Sequence, residues 1–354
     1  MNYLPAPMTD VENPTPVLHA MGRIARGYSR VFAESRFAER LSPPAQIRHT
    51  GFDLRLMVSD TVEVADNVRA ITLARPDRTP LPRWSPGAHL DVFTPSGRQR
   101  HYSLTGDPAD VDTYRIAVRK LPDGTGSVEM HDLRVGDMVR IRGPRNAFNF
   151  APAPGYLFVA GGIGITPILP MVRAAAAAGA DWRLIYTGAT RSSMPFVDEL
   201  VAIDEARVQV RPDDEYGRPN VDELLADVGS DGSVYLCGPS AMLDAFRAVT
   251  GPLVELHSER FSPPPVLGGT PFTVRLDRSA LDVEVAADET VLAAVRRVKP
   301  DVRYSCQQGF CGACRVRVLD GDVEHRDRVL IGDEREDSMM ICVSRAEDRV
   351  VLDL

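Results

Sequence analysis

The sequence has little lysine and no long apolar run. Only Lys120 and Lys299 are lysines, and we attribute this shortage to codon bias and assign it no function. No stretch of about 18 uninterrupted apolar residues occurs, so we predict no transmembrane segment. Basic residues do not outnumber acidic ones, 41 against 49, and the net charge is −8. The charge balance therefore predicts no binding of nucleic acid.

A disulfide framework and a secretion signal are also missing. The five cysteines are an odd number, and four of them lie after residue 305. Such crowding is typical of a metal site in a reducing compartment rather than of paired disulfides. Residues 1–20 lack the basic and apolar regions of a secretory signal. We therefore expect a cytoplasmic protein.

The 354 residues are too many for one ordinary domain, and the pattern changes along them. We predict a partly helical N-terminal extension over residues 1–45. Its helix would pack on the body of the protein, dock to a partner or an anionic membrane surface, or be the remnant of a targeting segment. Short strands separated by turns predict an antiparallel barrel over residues 46–153. Strands alternating with helices over residues 154–260 predict a parallel sheet of nucleotide-binding type.

A segment with three prolines and two glycines predicts a linker over residues 261–270. The last domain, residues 271–354, begins with a predicted hairpin and a helix and contains four cysteines. Cys306, Cys311 and Cys314 form a C-x4-C-x2-C pattern, and Cys342 follows later. This is the plant-type spacing for a [2Fe–2S] cluster. A zinc site is the alternative, but zinc motifs usually pair two C-x2-C units or add histidines.

Two further motifs precede the cysteines. Gly161-Gly162-Ile163-Gly164-Ile165-Thr166-Pro167 connects a strand to a helix, where backbone N–H groups favour a pyrophosphate; a tight structural turn is the alternative. Arg100-His101-Tyr102-Ser103 would bring together a phosphate-binding arginine, an aromatic ring and a hydroxyl donor for a flavin, or would be an ordinary strand. Cys237 is either a buried core cysteine or part of a ligand site at the end of a parallel strand.

Taken together in this order, the motifs resemble the phthalate dioxygenase reductase-like branch of the ferredoxin–NADP reductase superfamily. The resemblance covers about residues 50–354. It implies a multidomain α+β protein with an antiparallel flavin-binding β-barrel, an α/β parallel-sheet nucleotide-binding domain and a C-terminal β-grasp [2Fe–2S] ferredoxin domain. The four clustered cysteines would ligate iron, whereas Cys237 would not.

The resemblance also implies the site residues. Those assigned to the flavin are Arg100, His101, Tyr102, Ser103, Gly126 and Ser127. Those assigned to the nicotinamide nucleotide are Gly162, Gly164, Thr166, Arg191, Cys237, Gly238 and Pro239, with Phe261 at the junction of the two cofactors. The catalytic centre would include Ser103, Thr166, Cys237 and Glu259.

The implied function is the reductase component of a multicomponent oxygenase. Hydride would pass from NADH to a flavin, and single electrons would then pass through the cluster to a terminal Rieske-type oxygenase. We expect FMN rather than FAD and NADH rather than NADPH, although Arg191 leaves NADPH open. Service to a cytochrome P450 or another demethylase is the alternative, and a redox sensor is a minor one. We expect a monomer.

Overall fold

The computed structural model describes residues 52–122, 124–225, 232–250 and 255–354. The predicted extension at residues 1–45 lies outside the described residues. Within the described ranges, no helix combines the length and apolar character needed to cross a membrane. The buried apolar side chains form one core in the first sheet, one on each face of the second and one in the C-terminal domain. The division into cores follows the three predicted patterns.

Six antiparallel strands form the first sheet, in the order β4-β3-β6-β1-β2-β5. They are β1 (Phe52–Ala65), β2 (Val68–Ala74), β3 (Ala88–Phe93), β4 (Gln99–Ser103), β5 (Thr113–Arg119) and β6 (Met138–Asn146). An antiparallel bridge between Leu104 and Ile116 joins the two edges and closes the barrel. Helix α1 (Thr125–His131) lies between β5 and β6 in the chain.

Five parallel strands form the second sheet, in the order β11-β10-β7-β8-β9. They are β7 (Gly155–Gly161), β8 (Asp181–Gly188), β9 (Val208–Pro212), β10 (Ser233–Cys237) and β11 (Glu255–Glu259). The helices are α2 (Ile165–Ala177), α3 (Val197–Val201), α4 (Asp213–Tyr216), α5 (Val221–Leu225) and α6 (Ser240–Val249). The strand order reverses at β7, so the loops after β7 and β10 flank the crevice where such sheets bind ligands.

The C-terminal domain contains a mixed sheet in the order β13-β12-β18-β14-β16 and a short ladder of β15 with β17. Its elements are β12 (Phe272–Leu276), β13 (Leu281–Val285), α7 (Val291–Val298), β14 (Arg315–Asp320), β15 (Val323–Glu324), α8 (Glu334–Asp337), β16 (Ser338–Met340), β17 (Arg345–Ala346) and β18 (Arg349–Leu352). The side chain of Thr290 caps α7 by accepting a hydrogen bond from the Ala293 amide at 3.1 Å. The predicted hairpin and helix are both present.

An ion-pair network joins the barrel to the parallel-sheet domain. Arg115 on β5 donates to both carboxylate oxygens of Glu199 on α3 at 2.9 Å. Arg173 on α2 donates to the same carboxylate and also to the Thr105 carbonyl of the barrel at 3.0 Å. Two parallel hydrogen bonds between Arg115 and Glu199 fix the relative orientation of the two side chains as well as their separation. These contacts therefore help to orient the two domains.

Strand β11 is absent from the strands that the sequence pattern predicts. Only Leu256 in it is a large hydrophobic residue, and its neighbours are charged or polar. The strand forms because all five of its residues pair in parallel with β10, from Glu255 with Ser233 to Glu259 with Cys237. Partner strands can override weak strand propensity in this way.

Candidate functional site

A cavity of about 290 Å³ lies where the barrel, the parallel-sheet domain and the cysteine loop meet. Its walls include these predicted site residues: His101, Tyr102, Ser103, Thr166, Glu259, Phe261 and Cys306. Residues of the barrel, the parallel-sheet domain and the cysteine loop therefore line one cavity. A concave site with a few polar groups among apolar ones is the usual form of a cofactor pocket.

The barrel wall of the cavity is formed by the end of β4. Ser103 is buried, and burial raises the pKa of the Tyr102 phenol to about 12. Tyr102 is therefore a neutral hydrogen-bond donor at physiological pH. An aromatic ring beside a hydroxyl donor fits a planar, polar heterocycle such as a flavin.

Arg100, Gly126 and Ser127 form a separate group beside this cavity. The backbone of Gly126 lies so close to Arg100 that a β-carbon at residue 126 would stand 2.7 Å from Nε of the arginine. The Ser127 hydroxyl donates to the Gly124 carbonyl at 2.8 Å and accepts from the Leu121 amide at 3.0 Å. Glycine thus lets the guanidinium lie against the backbone at α1, an arrangement that suits a phosphate.

The glycine turn after β7 packs directly on the turn after β10. A β-carbon at Gly161 would lie 2.7 Å from Cδ of Pro239, and one at Gly238 would lie 2.9 Å from Sδ of Met242. Thr166 donates from its hydroxyl to the Ile163 carbonyl at 3.0 Å, at the start of α2. The predicted nucleotide residues of these two turns are therefore together at the carboxyl edge of the sheet.

Glu259 ends β11 and is 9% exposed. Burial raises its pKa to about 8, and its Oε2 has no hydrogen-bond partner among the described residues. Cys237, its neighbour across the β10–β11 ladder, is fully buried, and burial raises the pKa of its thiol. Unlike Glu259, Cys237 is not among the residues that line the cavity. The site therefore contains a protonated carboxyl group that faces space for a ligand.

The four clustered cysteines lie together. A hydrogen bond between the thiols of Cys306 and Cys311 raises the pKa of Cys306 and lowers that of Cys311 to about 6. A hydrogen bond to Cys342 is the main cause that raises the pKa of Cys314. Cys237 is fully buried in the core of the parallel-sheet domain and is not part of this group.

The loop around these cysteines turns its backbone toward their sulfur atoms. The Gln308 amide donates to Sγ of Cys306 at 3.3 Å, and the amides of Phe310, Ala313 and Ser305 also donate to cysteine sulfurs of the loop. Gly309 and Gly312 have φ values of +79° and +76°, which side chains disfavour. Four thiols surrounded by amide donors fit an iron–sulfur cluster.

Arg191 lies outside the cavity, in a 3-10 turn after β8. Its neighbour Ser192 donates to Asp66 of the barrel at 2.6 Å, and Ser193 completes a capping box with Thr190. Arg191 is the exposed cation of this turn, at the end of the second strand, where a nucleotide ribose is expected.

Sequence reasoning missed several polar residues near the cavity. Arg119 lines it, and Gln308 donates to the Arg260 carbonyl at 2.5 Å, which joins the cysteine loop to the end of the parallel-sheet domain. Asp91 and His89 on β3 are buried beside it. Gln308 lies inside the C-x4-C pattern, whereas Arg119, Asp91 and His89 belong to no motif, and only the fold brings them to the site.

Three family models match the chain in sequence. They describe an oxidoreductase FAD-binding domain over residues 55–150, an oxidoreductase NAD-binding domain over residues 158–248 and a 2Fe-2S iron-sulfur cluster binding domain over residues 274–347. The matches follow one another in the order of the barrel, the parallel sheet and the cysteine domain.

Known proteins resemble the chain over most of its length. The phthalate 4,5-dioxygenase oxygenase reductase subunit of Pseudomonas putida is 39% identical over 84% of this chain and 96% of its own. The solved structure of phthalate dioxygenase reductase, described as modular for electron transfer from pyridine nucleotides to [2Fe-2S], is 35% identical. It has a TM-score of 0.62, with 85% of this chain and 98% of that chain covered.

An intact type IV self-sufficient cytochrome P450 monooxygenase is also similar, with 40% identity and a TM-score of 0.70. The match covers 90% of this chain but only 44% of the monooxygenase, so the chain spans less than half the length of that protein. Sequence identity of this extent across all three domains establishes homology. The chain belongs to the phthalate dioxygenase reductase-like family of flavin- and iron–sulfur-dependent oxidoreductases.

Proposed function

We propose that this protein is the electron-transfer reductase component of a multicomponent oxygenase. It would take hydride from NADH to FMN and deliver single electrons through a [2Fe–2S] cluster to a terminal Rieske-type oxygenase. The observation that carries the proposal is the shared cavity, in which Ser103 of the barrel, Thr166 of the nucleotide domain and Cys306 of the cysteine loop line one space.

A bound flavin supplies the conversion of a two-electron hydride into single electrons. The residues of the chain bind and orient the cofactors. Arg100 would hold the flavin phosphate beside Gly126 and Ser127, and Tyr102 and Ser103 would contact the ring. His101 would line the same pocket. Phe261, which is 50% exposed, would cover the junction between flavin and nicotinamide.

The nucleotide would lie across the turns after β7 and β10. Gly162, Gly164, Gly238 and Pro239 would line the pyrophosphate site, where backbone N–H groups favour an anion. A β-carbon at Gly164 would stand 2.2 Å from the Cys237 carbonyl oxygen, so glycine is needed there for the two turns to meet. Thr166, Cys237 and Glu259 would stand nearest the nicotinamide. Glu259, protonated at neutral pH, would offer a donor without placing a charge beside the ring.

The four clustered cysteines would ligate the cluster as thiolates. Burial of Cys314 and Cys342 and the amide donors of the loop suit a site that must hold negative charge away from water. We further propose that the domains divide at residues 153, 260 and 270 and that the protein is a monomer. We also propose a cytoplasmic location, where thiols remain reduced.

Service to a cytochrome P450 is the second candidate. It is favoured by the 40% identity with 44% of the chain of a self-sufficient cytochrome P450 monooxygenase. The two candidates differ only in the acceptor, so reconstitution decides between them. Purified reductase is mixed with candidate Rieske oxygenases and P450 proteins, and NADH consumption coupled to product formation is measured.

The proposed electron path is tested on the purified protein itself. We expect absorption bands of both flavin and [2Fe–2S] cluster, and NADH-dependent reduction of cytochrome c. Mass spectrometry of the released flavin should give the mass of FMN. Arg100→Ala should lose flavin during dialysis because a charge-assisted phosphate contact is removed. A protein that binds flavin and cluster but reduces no one-electron acceptor from NADH would contradict the proposal.

A further inference from the structure

A buried carboxylate of the barrel reaches across to the cysteine loop. Asp91, in the middle of β3, is 0% exposed. The hydroxyl of Ser305 donates to its Oδ1 at 2.7 Å, and Arg145 on β6 donates to its Oδ2 at 2.7 Å. Ser305 immediately precedes Cys306, a proposed iron ligand. Asp91 is thus hydrogen-bonded to the residue that precedes a proposed cluster ligand.

Two histidines complete the surroundings of this carboxylate. Nε2 of His101 on β4 lies 3.3 Å from Oδ1 of Asp91, and Nε2 of His89 lies 3.3 Å from Oγ of Ser305. Burial lowers the pKa of both imidazoles to about 4, so both are neutral at physiological pH. Asp91 and Arg145 form the ion pair of this group, at 2.7 Å. Burial raises the pKa of Asp91, and the positive charges of Arg145 and Arg142 oppose that rise.

A second pair of hydrogen bonds connects the same two segments. The Gln99 amide donates to the Tyr304 carbonyl at 2.6 Å, and the Tyr304 hydroxyl donates to the Gln99 carbonyl at 3.4 Å. Tyr304 and Ser305 are consecutive, so the segment that leads into Cys306 contacts both β4, through Gln99, and β3, through Asp91. Buried hydrogen bonds of this kind favour one arrangement, because a shift of either segment would leave buried donors and acceptors unpaired.

The chain itself does not enforce this arrangement. The link between the nucleotide domain and the cysteine domain contains Pro263, Pro264 and Pro265 followed by Gly268 and Gly269. Such a segment limits reach but leaves orientation open. Noncovalent contacts must therefore decide how far the cysteines stand from the barrel cavity, and the charged, buried contact among them is Asp91 with Ser305.

We propose that Asp91 is a positioning residue that docks the Ser305–Cys306 segment on the flavin barrel and so sets the rate of electron transfer from flavin to cluster. The inference rests on the proposed function. Electron transfer weakens steeply with distance. The residues proposed to contact the nicotinamide, Thr166 and Glu259, line the cavity from the parallel-sheet domain, whereas Cys306 lines it from the cysteine loop. Loss of the anchor should therefore slow electron transfer from flavin to cluster and spare reduction of the flavin by nicotinamide.

The test compares Asp91→Asn, Ser305→Ala and the double variant in the complete protein. We expect each single variant to retain the cluster spectrum and dye reduction from NADH, and to lose cytochrome c reduction by roughly tenfold. Hydrogen–deuterium exchange of the peptide containing residues 303–310 should accelerate in both. In the double variant the loss of cytochrome c reduction should be smaller than the two single losses combined, since both changes remove the hydrogen bond between Asp91 and Ser305.

Asp60→Asn is the matched control, because Asp60 is an exposed carboxylate on β1 of the same barrel. It should change neither activity nor exchange. The role of Asp91 would be overturned if the ratio of cytochrome c reduction to dye reduction stayed at the wild-type value, whether or not both rates fell. Additive effects of the two substitutions in the double variant would also overturn it. Failure of the cytochrome c reaction in a protein that cannot reduce dye from NADH would instead contradict the proposed function.

If Asp91→Asn does not fold, Ser305→Ala and Asp91→Glu decide the question. Ser305→Ala removes the hydrogen bond from the cysteine side and leaves Asp91 paired with Arg145. It must still accelerate hydrogen–deuterium exchange of residues 303–310 and lower the ratio of cytochrome c reduction to dye reduction. Asp91→Glu keeps the charge but moves the acceptor oxygens, so it should fall between wild type and Ser305→Ala. An unchanged ratio in Ser305→Ala would contradict the proposal on its own.

Discussion

Gly164 and Cys237 approach so closely that a β-carbon at residue 164 would stand 2.2 Å from the carbonyl oxygen of Cys237. The contact involves backbone on the Cys237 side, which cannot rotate away. Gly164 therefore joins the turn after β7 to the end of β10. This is the place in the sheet where the proposed nucleotide site is formed.

We predict that Gly164→Ala separates these turns. Overpacking of this kind costs roughly 1–3 kcal/mol of folding free energy. The KM for NADH should rise, since the pyrophosphate loses its close approach to the backbone. Gly155→Ala, at the start of β7, is the control because its β-carbon would meet ordinary contact at 3.5 Å. Wild-type KM and stability in Gly164→Ala would refute the prediction.

A pH dependence follows from Glu259, whose pKa is raised from 4.5 to about 8 by burial. Between these values the folded protein keeps a proton that the unfolded chain has lost. The free energy of unfolding therefore falls as pH rises through this window, by up to ~1.4 kcal/mol per pH unit from this group. Glu259→Gln should remove that part of the slope and be more stable than wild type at pH 8.

The measurement is urea unfolding followed through Trp182, which is buried in the same domain. Glu205→Gln, at an exposed carboxylate, serves as the control and should keep the wild-type slope. Identical slopes in wild type and Glu259→Gln would show that Glu259 is ionised in the folded protein at neutral pH.

Nucleotide preference is predicted to favour NADH. Arg191 is the exposed cation after β8 and could pair with the 2′-phosphate of NADPH. Activity with NADPH should therefore depend on Arg191. Arg191→Ala should lower kcat/KM for NADPH by roughly tenfold and leave that for NADH nearly unchanged. Arg218→Ala, with a side chain 93% exposed in the same domain, is the control. A higher kcat/KM for NADPH in the wild type would reverse the assignment.

The cysteine domain carries 13 basic and 17 acidic side chains over residues 271–354, a net charge of −4. The acidic side chains between Cys314 and Cys342 differ in their surroundings. Glu324 pairs with Arg326 at 2.8 Å and Glu334 with Arg315 at 2.5 Å. Those in no ion pair with the described residues are Asp320, Asp322, Asp333 and Glu336.

We predict that these unpaired carboxylates steer the electron acceptor. Electron transfer to the natural partner should slow as ionic strength rises, because screening weakens steering, whereas hydride transfer to the flavin should change little. Asp333→Asn combined with Glu336→Gln should slow transfer at low salt and flatten its salt dependence. A partner reaction that is insensitive to salt would remove this role from the acidic stretch.

Local motifs could be predicted from the sequence, and long-range contacts could not. The cysteine spacing and the turn around Gly164 are each contained in a few consecutive residues, so their chemistry is visible without a fold. Asp91 and Ser305 are 214 residues apart, and neither belongs to a recognisable pattern. Glu259 could be named only by resemblance, because its unusual pKa comes from burial under elements distant in sequence.

The central claim, that electrons pass from the flavin to one-electron protein acceptors through the four-cysteine cluster, is tested most directly with Cys311→Ser. Cytochrome c and dye reduction are measured side by side from NADH, together with iron content, with Cys237→Ala as the cysteine control. We predict that Cys311→Ser loses the cluster spectrum and cytochrome c reduction but keeps dye reduction, while Cys237→Ala keeps its iron. A Cys311→Ser protein with full cluster spectrum and full cytochrome c reduction would contradict the account.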